Sequence, residues 1–234
     1  MRILGIIVAR SGSKGIPKKN LKCIADKPLI QYTIECAHKS KKLSEFIVST
    51  DGEDIRKISL DLGVKVPFLR PKEISDDVAS PILAIQHAKS YYENLNIHFD
   101  GFLMLQPTTP FRSEEDIDGS IELLEVSNAD SVISVVNVGA FHPARMKYME
   151  AGKLIDPPFC EEYENQRRQE LKPMFIRNGA IYLSTKKTIE NSSFRGKDCR
   201  AWLMPNDRSV NIDTEEDFLY AEWMFARMNS TIKK

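Results

Sequence analysis

The chain has 234 residues, with 33 Lys and Arg against 33 Asp and Glu, 42% hydrophobic residues and four cysteines. This is ample for one α/β domain with a buried core and too apolar for disorder. A net charge of zero speaks against a general nucleic-acid binder, and no apolar run nears the roughly 18 residues that cross a bilayer.

The first predicted element is the strand Ile3 to Val8, ILGIIV, an apolar run without polar alternation. Such a run suits a strand covered on both faces, as in a parallel sheet. Similar runs follow at Glu45 to Thr50, Gly101 to Gln106 and Ser131 to Val136. Helical patterns separate them at Leu29 to His38, Asp54 to Leu62, Pro81 to Tyr92 and Glu114 to Glu125. Pro81 fits a first helical turn. Ser113 is a candidate N-cap, with Asp116 as a shorter-armed partner where a capping box would carry Glu or Gln. The alternation predicts a doubly wound, mostly parallel α/β sheet. From Gly139 to Lys172 the rhythm breaks into an excursion whose Phe141, Tyr148, Phe159 and Tyr163 need something to bury against. It resumes with Ala180 to Ser184, Ala201 to Met204 and a C-terminal helix from about Thr214 to Met228.

Ile3 to Ala9 is short and leads into basic residues, not a cleavage site, so no signal peptide is expected. Cys23, Cys36, Cys160 and Cys199 form no CxxC pair. Reduced thiols, no zinc site and a cytoplasmic location with no membrane partner are expected.

The segment after the first strand, ARSGSKGIPKKN over residues 9–20, is the most informative. In open α/β sheets, ligands bind beyond the carboxyl ends of the strands. Here two glycines allow close backbone approach to an anion, and four cations could neutralise it. The first 25 residues hold six basic side chains and no acidic one, which suits a polyphosphate. The string is neither a Walker A loop nor GxGxxG.

This string resembles the signature of the acylneuraminate cytidylyltransferases. Four further blocks match in order: Arg70-Pro71 with Asp77-Val78-Ala79-Ser80, then QPTTPFR over 106–112, RNGAIY over 177–182, and NIDTEEDF over 211–218. The resemblance implies a single nucleotidyltransferase domain of Rossmann-like fold over residues 1–234. Residues 139–172 would form a dimerisation subregion of a homodimer. The implied activity is transfer of CMP from CTP to a nine-carbon 2-keto sugar acid (sialic, legionaminic or related), with release of pyrophosphate.

By the same resemblance, Arg10, Lys14, Lys19 and Asn20 would hold the triphosphate, with Arg10 and Lys19 supporting catalysis. Arg70, Ala79 and Ser80 would surround the cytosine. Gln106, Tyr182 and Phe194 would line the sugar pocket, and Arg145 and Arg168 would reach the sugar carboxylate of a partner chain. Mg2+ would be held by Asp213, the third catalytic residue with Arg10 and Lys19, with Asn211 where the family carries a second aspartate. Asp217 and Glu216 read as capping and solvating acids of the last helix, and His142 as a loop histidine beside Pro143. A transferase for the eight-carbon acid Kdo, a catalytically weakened nucleotide-sugar-binding subunit and a dehydrogenase are the competing readings. The absence of GxGxxG disfavours the last.

Overall fold

The computed structural model describes residues 1–12 and 15–232. In chain order the strands and helices are β1 (Ile3–Val8), β2 (Cys23–Ile24), β3 (Lys27–Pro28), α1 (Leu29–Lys39), β4 (Glu45–Ser49), α2 (Glu53–Asp61) and α3 (Pro81–Asn94). They continue with β5 (Gly101–Leu105), α4 (Glu114–Ser127), β6 (Ser131–Asn137), β7 (Tyr148–Glu150), β8 (Lys153–Ile155) and β9 (Phe175–Thr185). The last are α5 (Lys186–Glu190), β10 (Cys199–Leu203) and α6 (Glu215–Ile232).

Six strands form one sheet in the order β10-β6-β9-β5-β1-β4. β4, β1 and β5 run parallel, as do β6 and β10, while β9 is antiparallel to both its neighbours. The doubly wound, mostly parallel sheet expected from the apolar runs is what forms. β1 shows why its run needs no polar alternation. Ile3 and Ile7 join the core under α1 and α4, while Leu4 and Ile6 join the core under α3. Both faces are covered, so both sets of side chains are apolar.

β1 connects outward to β4, and the chain then crosses back to place β5 on the other side of β1. The carboxyl ends of β1 and β5 therefore flank the point where strand order reverses, the usual position of a ligand crevice in such sheets. A third, smaller core joins the loops above that point. Ile16 from the basic loop, Phe111 from the turn after β5, and Ile212 and Phe218 around the start of α6 pack together. One buried isoleucine thus anchors an otherwise cationic loop.

Residues 139–172 leave the sheet as an arm. Its hairpin pairs β7 with β8 through Ala151 and Gly152, both at positive φ, as a two-residue type I′ turn requires. His142 Nδ1 accepts from the Ala144 amide at 3.2 Å and Nε2 donates to the Lys172 carbonyl at 2.9 Å, so this histidine staples the two ends of the arm. The arm buries almost none of its large apolar groups: Phe141 is 83% exposed, Met149 76% and Leu154 74%.

Two helix starts follow the sequence reading. Asp116 Oδ2 accepts from the Ser113 amide at 2.9 Å, completing the short-armed box. Asp217 Oδ2 accepts from the Asp213 and Thr214 amides at 3.0 and 2.9 Å at the start of α6. Burial would raise the Asp217 carboxyl, but these donors hold it below its ordinary value. Among the described residues, no helix is long and apolar enough to cross a membrane.

Candidate active site

A cavity of about 470 Å³ opens at the carboxyl edge of the sheet, between Val8 at the end of β1 and Gln106 just after β5. Arg10, Lys19, Asn20, Arg70, Ala79, Ser80, Gln106, Asn211 and Asp213 all line it. These residues come from four sequence blocks spread over two hundred positions, and the sheet topology brings them together. Lys14 lies outside the described residues.

Each wall has its own construction. In the basic loop, Asn20 is buried and its Nδ2 donates to the Arg10 carbonyl at 3.0 Å, closing the loop on itself. Arg10 pairs with Asp77 across the cavity mouth. Lys19 Nζ donates to the Ile212 carbonyl at 2.7 Å and lies 3.2 Å from Asp213 Oδ1. Gly15 sits against the backbone of Asp213 so tightly that any Cβ would strike its carbonyl oxygen. Lys18, by contrast, is 74% exposed at its side chain and pairs with Asp54.

On the opposite wall Arg70 is buried, and its Nε donates to Ser75 Oγ at 2.9 Å. Burial lowers its pKa and nearby Arg10 adds to that, while Asp51 pulls the other way. Asp76 Oδ1 accepts from the Val78 and Ala79 amides at 3.1 and 2.7 Å, shaping the turn that delivers Ala79 and Ser80. Ser80 then stands at the N-cap position of α3, with Pro81 in its first turn.

The floor depends on two residues the sequence pattern gives no role. Arg112 is buried. Its Nη1 donates to Thr109 Oγ1 at 2.9 Å and the Ala180 carbonyl at 3.2 Å, and its Nη2 donates to Thr33 Oγ1 at 3.1 Å and the Gln106 carbonyl at 3.2 Å. It fixes the Pro-Thr-Thr-Pro turn from below. Gly179 adopts φ +81°, and a Cβ there would stand 3.1 Å from Gln106 Oε1 and 3.5 Å from Asn211 Oδ1. Arg112 and Gly179 sit inside motif blocks, but block membership does not show which neighbours they touch.

Asn211 Nδ2 donates to Asp213 Oδ2 at 2.6 Å. Among the described residues there is no cluster of three or more His, Cys, Asp or Glu that could form an all-protein metal cage. One carboxylate and one amide oxygen at the cavity rim do fit Mg2+, which is commonly held by one or two carboxylates together with substrate phosphates.

The remaining predicted residues lie elsewhere. Tyr182 and Phe194 pack on each other, ring centroids 5.7 Å apart, against the core under α3, and neither lines the cavity. Arg145 is held within the arm, Nε to Glu161 Oε1 at 3.0 Å and Nη2 to the Gln166 carbonyl at 2.8 Å. Arg168 is exposed on the arm, and it too stands apart from the cavity.

A loop-walled, cation-bearing cavity at the strand-order reversal of a mostly parallel sheet defines a nucleotide-binding α/β protein. The sequence profile of the family described as cytidylyltransferase matches residues 4–201. The chain belongs to the cytidylyltransferase family. It is 34% identical to a CMP-N,N'-diacetyllegionaminic acid synthase of Legionella pneumophila over 95% of both chains. Identity is 30% to a pseudaminic acid cytidylyltransferase of Campylobacter jejuni, covering 96% of this chain and 97% of that one. It is 33% to an N-acylneuraminate cytidylyltransferase of Streptococcus agalactiae, of whose length the matched region spans only 52%. In fold, a CMP:2-keto-3-deoxy-manno-octonic acid synthetase solved with CTP superposes at TM-score 0.75 over 97% of this chain and all of its own, at 17% identity.

Proposed function

We propose that the protein transfers CMP from CTP to a nine-carbon 2-keto sugar acid of the sialic, legionaminic or pseudaminic type, releasing pyrophosphate. The observation that carries this reading is the convergence of the basic loop, the Arg70 segment, Gln106 and Asp213 on one cavity. Family membership and relatives named for this chemistry support it. The anomeric hydroxyl of the sugar attacks the α-phosphorus in line as pyrophosphate departs. Arg10 and Lys19 meet the charge that grows on the leaving group, and catalysis rests on positioning and electrostatic stabilisation. Arg10 exchanges Asp77 for phosphate as the nucleotide enters. Lys14 belongs with these cations by its sequence position. Arg70, Ala79 and Ser80 form a narrow wall for cytosine, where a purine would clash and a mismatched edge would leave polar groups unpaired. Gln106 faces the sugar. Asp213, assisted by Asn211, is the residue that would hold Mg2+, which supplies charge neutralisation on the phosphates.

We further propose that the arm joins two chains. A symmetric partner would cover its exposed Phe141, Met149 and Leu154 and receive the same cover in return. In that assembly Arg145 and Arg168 act on the partner's sugar carboxylate, for which guanidinium is a bidentate match. Tyr182 and Phe194 serve chiefly as a packed aromatic pair behind the site. A cytoplasmic location accords with the unpaired Cys23, Cys36, Cys160 and Cys199.

The test is pyrophosphate release from CTP and Mg2+ with a panel of nine-carbon acids and Kdo. Turnover with one or more nine-carbon acids is expected. Turnover with Kdo alone would redirect the reading to the eight-carbon branch, and CTP binding without turnover on any acid would favour the weakened binding subunit.

A further inference from the structure

We infer that Asp51, outside the cavity lining, is a positioning residue that sets the geometry of the triphosphate loop through Ser11. The inference rests on the cytidylyltransferase reading. Asp51 lies two residues beyond the end of β4 at Ser49, at the carboxyl edge of the strand beside β1. Its Oδ1 accepts from the Ser11 amide and its Oδ2 from the Ser11 hydroxyl, each at 2.8 Å. Ser11 is the next residue after Arg10, so this clamp fixes the backbone from which the Arg10 side chain enters the cavity. The contact is close: a Cβ on Gly52 would lie 2.9 Å from Ser11 Cβ. The same turn also holds the opposite wall, because the Thr50 carbonyl accepts from the Arg70 amide at 2.7 Å. The Ser49 carbonyl takes the Ala9 amide at 3.1 Å. Three consecutive residues therefore register the phosphate loop against the Arg70 segment.

A carboxylate beside a loop built for a polyphosphate is unfavourable on Coulomb grounds alone. Its presence there makes sense if geometry outweighs repulsion, and the two contributions separate by substitution. In Asp51→Asn the amide oxygen can still accept from the Ser11 amide, while its NH2 donates to a rotated Ser11 hydroxyl, so both contacts survive without the charge. Asp51→Ala keeps neither contact. Asp51→Glu keeps the charge but lengthens the arm by one methylene, which displaces the carboxylate from the position where both 2.8 Å contacts to Ser11 are made.

Equilibrium CTP binding and steady-state kinetics on the full chain test this. Asp51→Ala and Asp51→Glu should each weaken CTP binding and raise KM for CTP at least about tenfold. Asp51→Asn should stay within about twofold of the unsubstituted protein or bind CTP slightly more tightly. KM for the sugar acid should move least, which general destabilisation would not reproduce. Should Asp51→Ala fail to fold, Asp51→Glu carries the same expectation. Unchanged CTP affinity in the folded Ala or Glu variant would overturn the inference alone. An Asn variant as impaired as Ala would overturn it too, showing that the charge itself is needed. If the unsubstituted protein bound no CTP, the cytidylyltransferase reading would fall and take this inference with it.

Discussion

The cavity at the sheet edge and the arm over residues 139–172 are built on opposite terms. Around the cavity Arg10, Lys19, Asn20, Arg70 and Asn211 each have a partner on the protein, and apolar anchors back three of the segments: Ile16 behind the basic loop, Phe111 behind the turn after β5, Ile212 beside Asp213. The arm has a sound backbone, with a type I′ hairpin and a histidine staple, yet its large apolar side chains face outward. Exposed apolar area of this kind costs roughly 25 cal/mol per Å² relative to burial. The cavity walls are thus held by contacts within the described residues, whereas the arm leaves Phe141, Met149 and Leu154 uncovered among them.

The sharpest way to probe the cavity side is Asp213. Asp213→Ala should lower pyrophosphate release by about a hundredfold or more, near 2.7 kcal/mol of transition-state stabilisation. Chelation should abolish activity and added Mg2+ restore it, while Asn211→Asp should keep turnover. Full activity of Asp213→Ala at ordinary Mg2+ would refute its assignment.

The loop cations come next. Arg10→Ala or Lys19→Ala should each cost at least about tenfold in kcat/KM, near 1.4 kcal/mol. Lys18→Ala should change little, since its exposed ammonium pairs with an exposed carboxylate. Equal sensitivity of Lys18 and Lys19 would mean that the loop has been registered wrongly.

On the arm side the comparison predicts loss of assembly without loss of fold. Met149→Asp with Leu154→Asp should yield a monomer by sedimentation that keeps its native circular dichroism and melts cooperatively at a lower temperature, since association no longer adds to its stability. The core behaves in the opposite way. A Cβ on Gly119 would run into the Trp202 ring, so Gly119→Ala should lower stability by about 1–3 kcal/mol in denaturant titration. A dimeric double Asp variant would show that the arm's apolar face has another use.

The smallest effect is also the most specific. If Arg168 serves the partner's site, mixing Arg168→Ala with Arg10→Ala under subunit exchange should restore about a quarter of full activity. Random exchange makes half the dimers mixed, and each mixed dimer keeps one intact site of two. No recovery despite proven exchange would assign Arg168 to its own chain's site or to none.

The β1 run, the helix patterns and the Ser113 and Asp217 caps depend on neighbours a few residues away, so periodicity and capping chemistry made them legible in the amino-acid order. The basic loop was equally legible, as a local charge imbalance in a neutral chain. The direction of β9 was not, because an apolar run reads alike whether it pairs parallel or antiparallel. Nor were Asp51, Arg112 and Gly179 singled out. What they do depends on contacts with Ser11, on carbonyls at 106 and 180, and on side chains at 106 and 211, all set by strand order. Tyr182 and Phe194 show the same limit from the other side, since neither the RNGAIY block that holds Tyr182 nor the position of Phe194 tells that they pack against the core under α3. Local spacing therefore determined the central strands, the long helices and the presence of a basic loop, but not every end: β9 begins at Phe175, before the apolar run at Ala180, and the short α5 has no counterpart in the periodic pattern. Only the crossing from β4 back to β5 decided which distant residues share one cavity, because that juxtaposition is a long-range property of the chain's path.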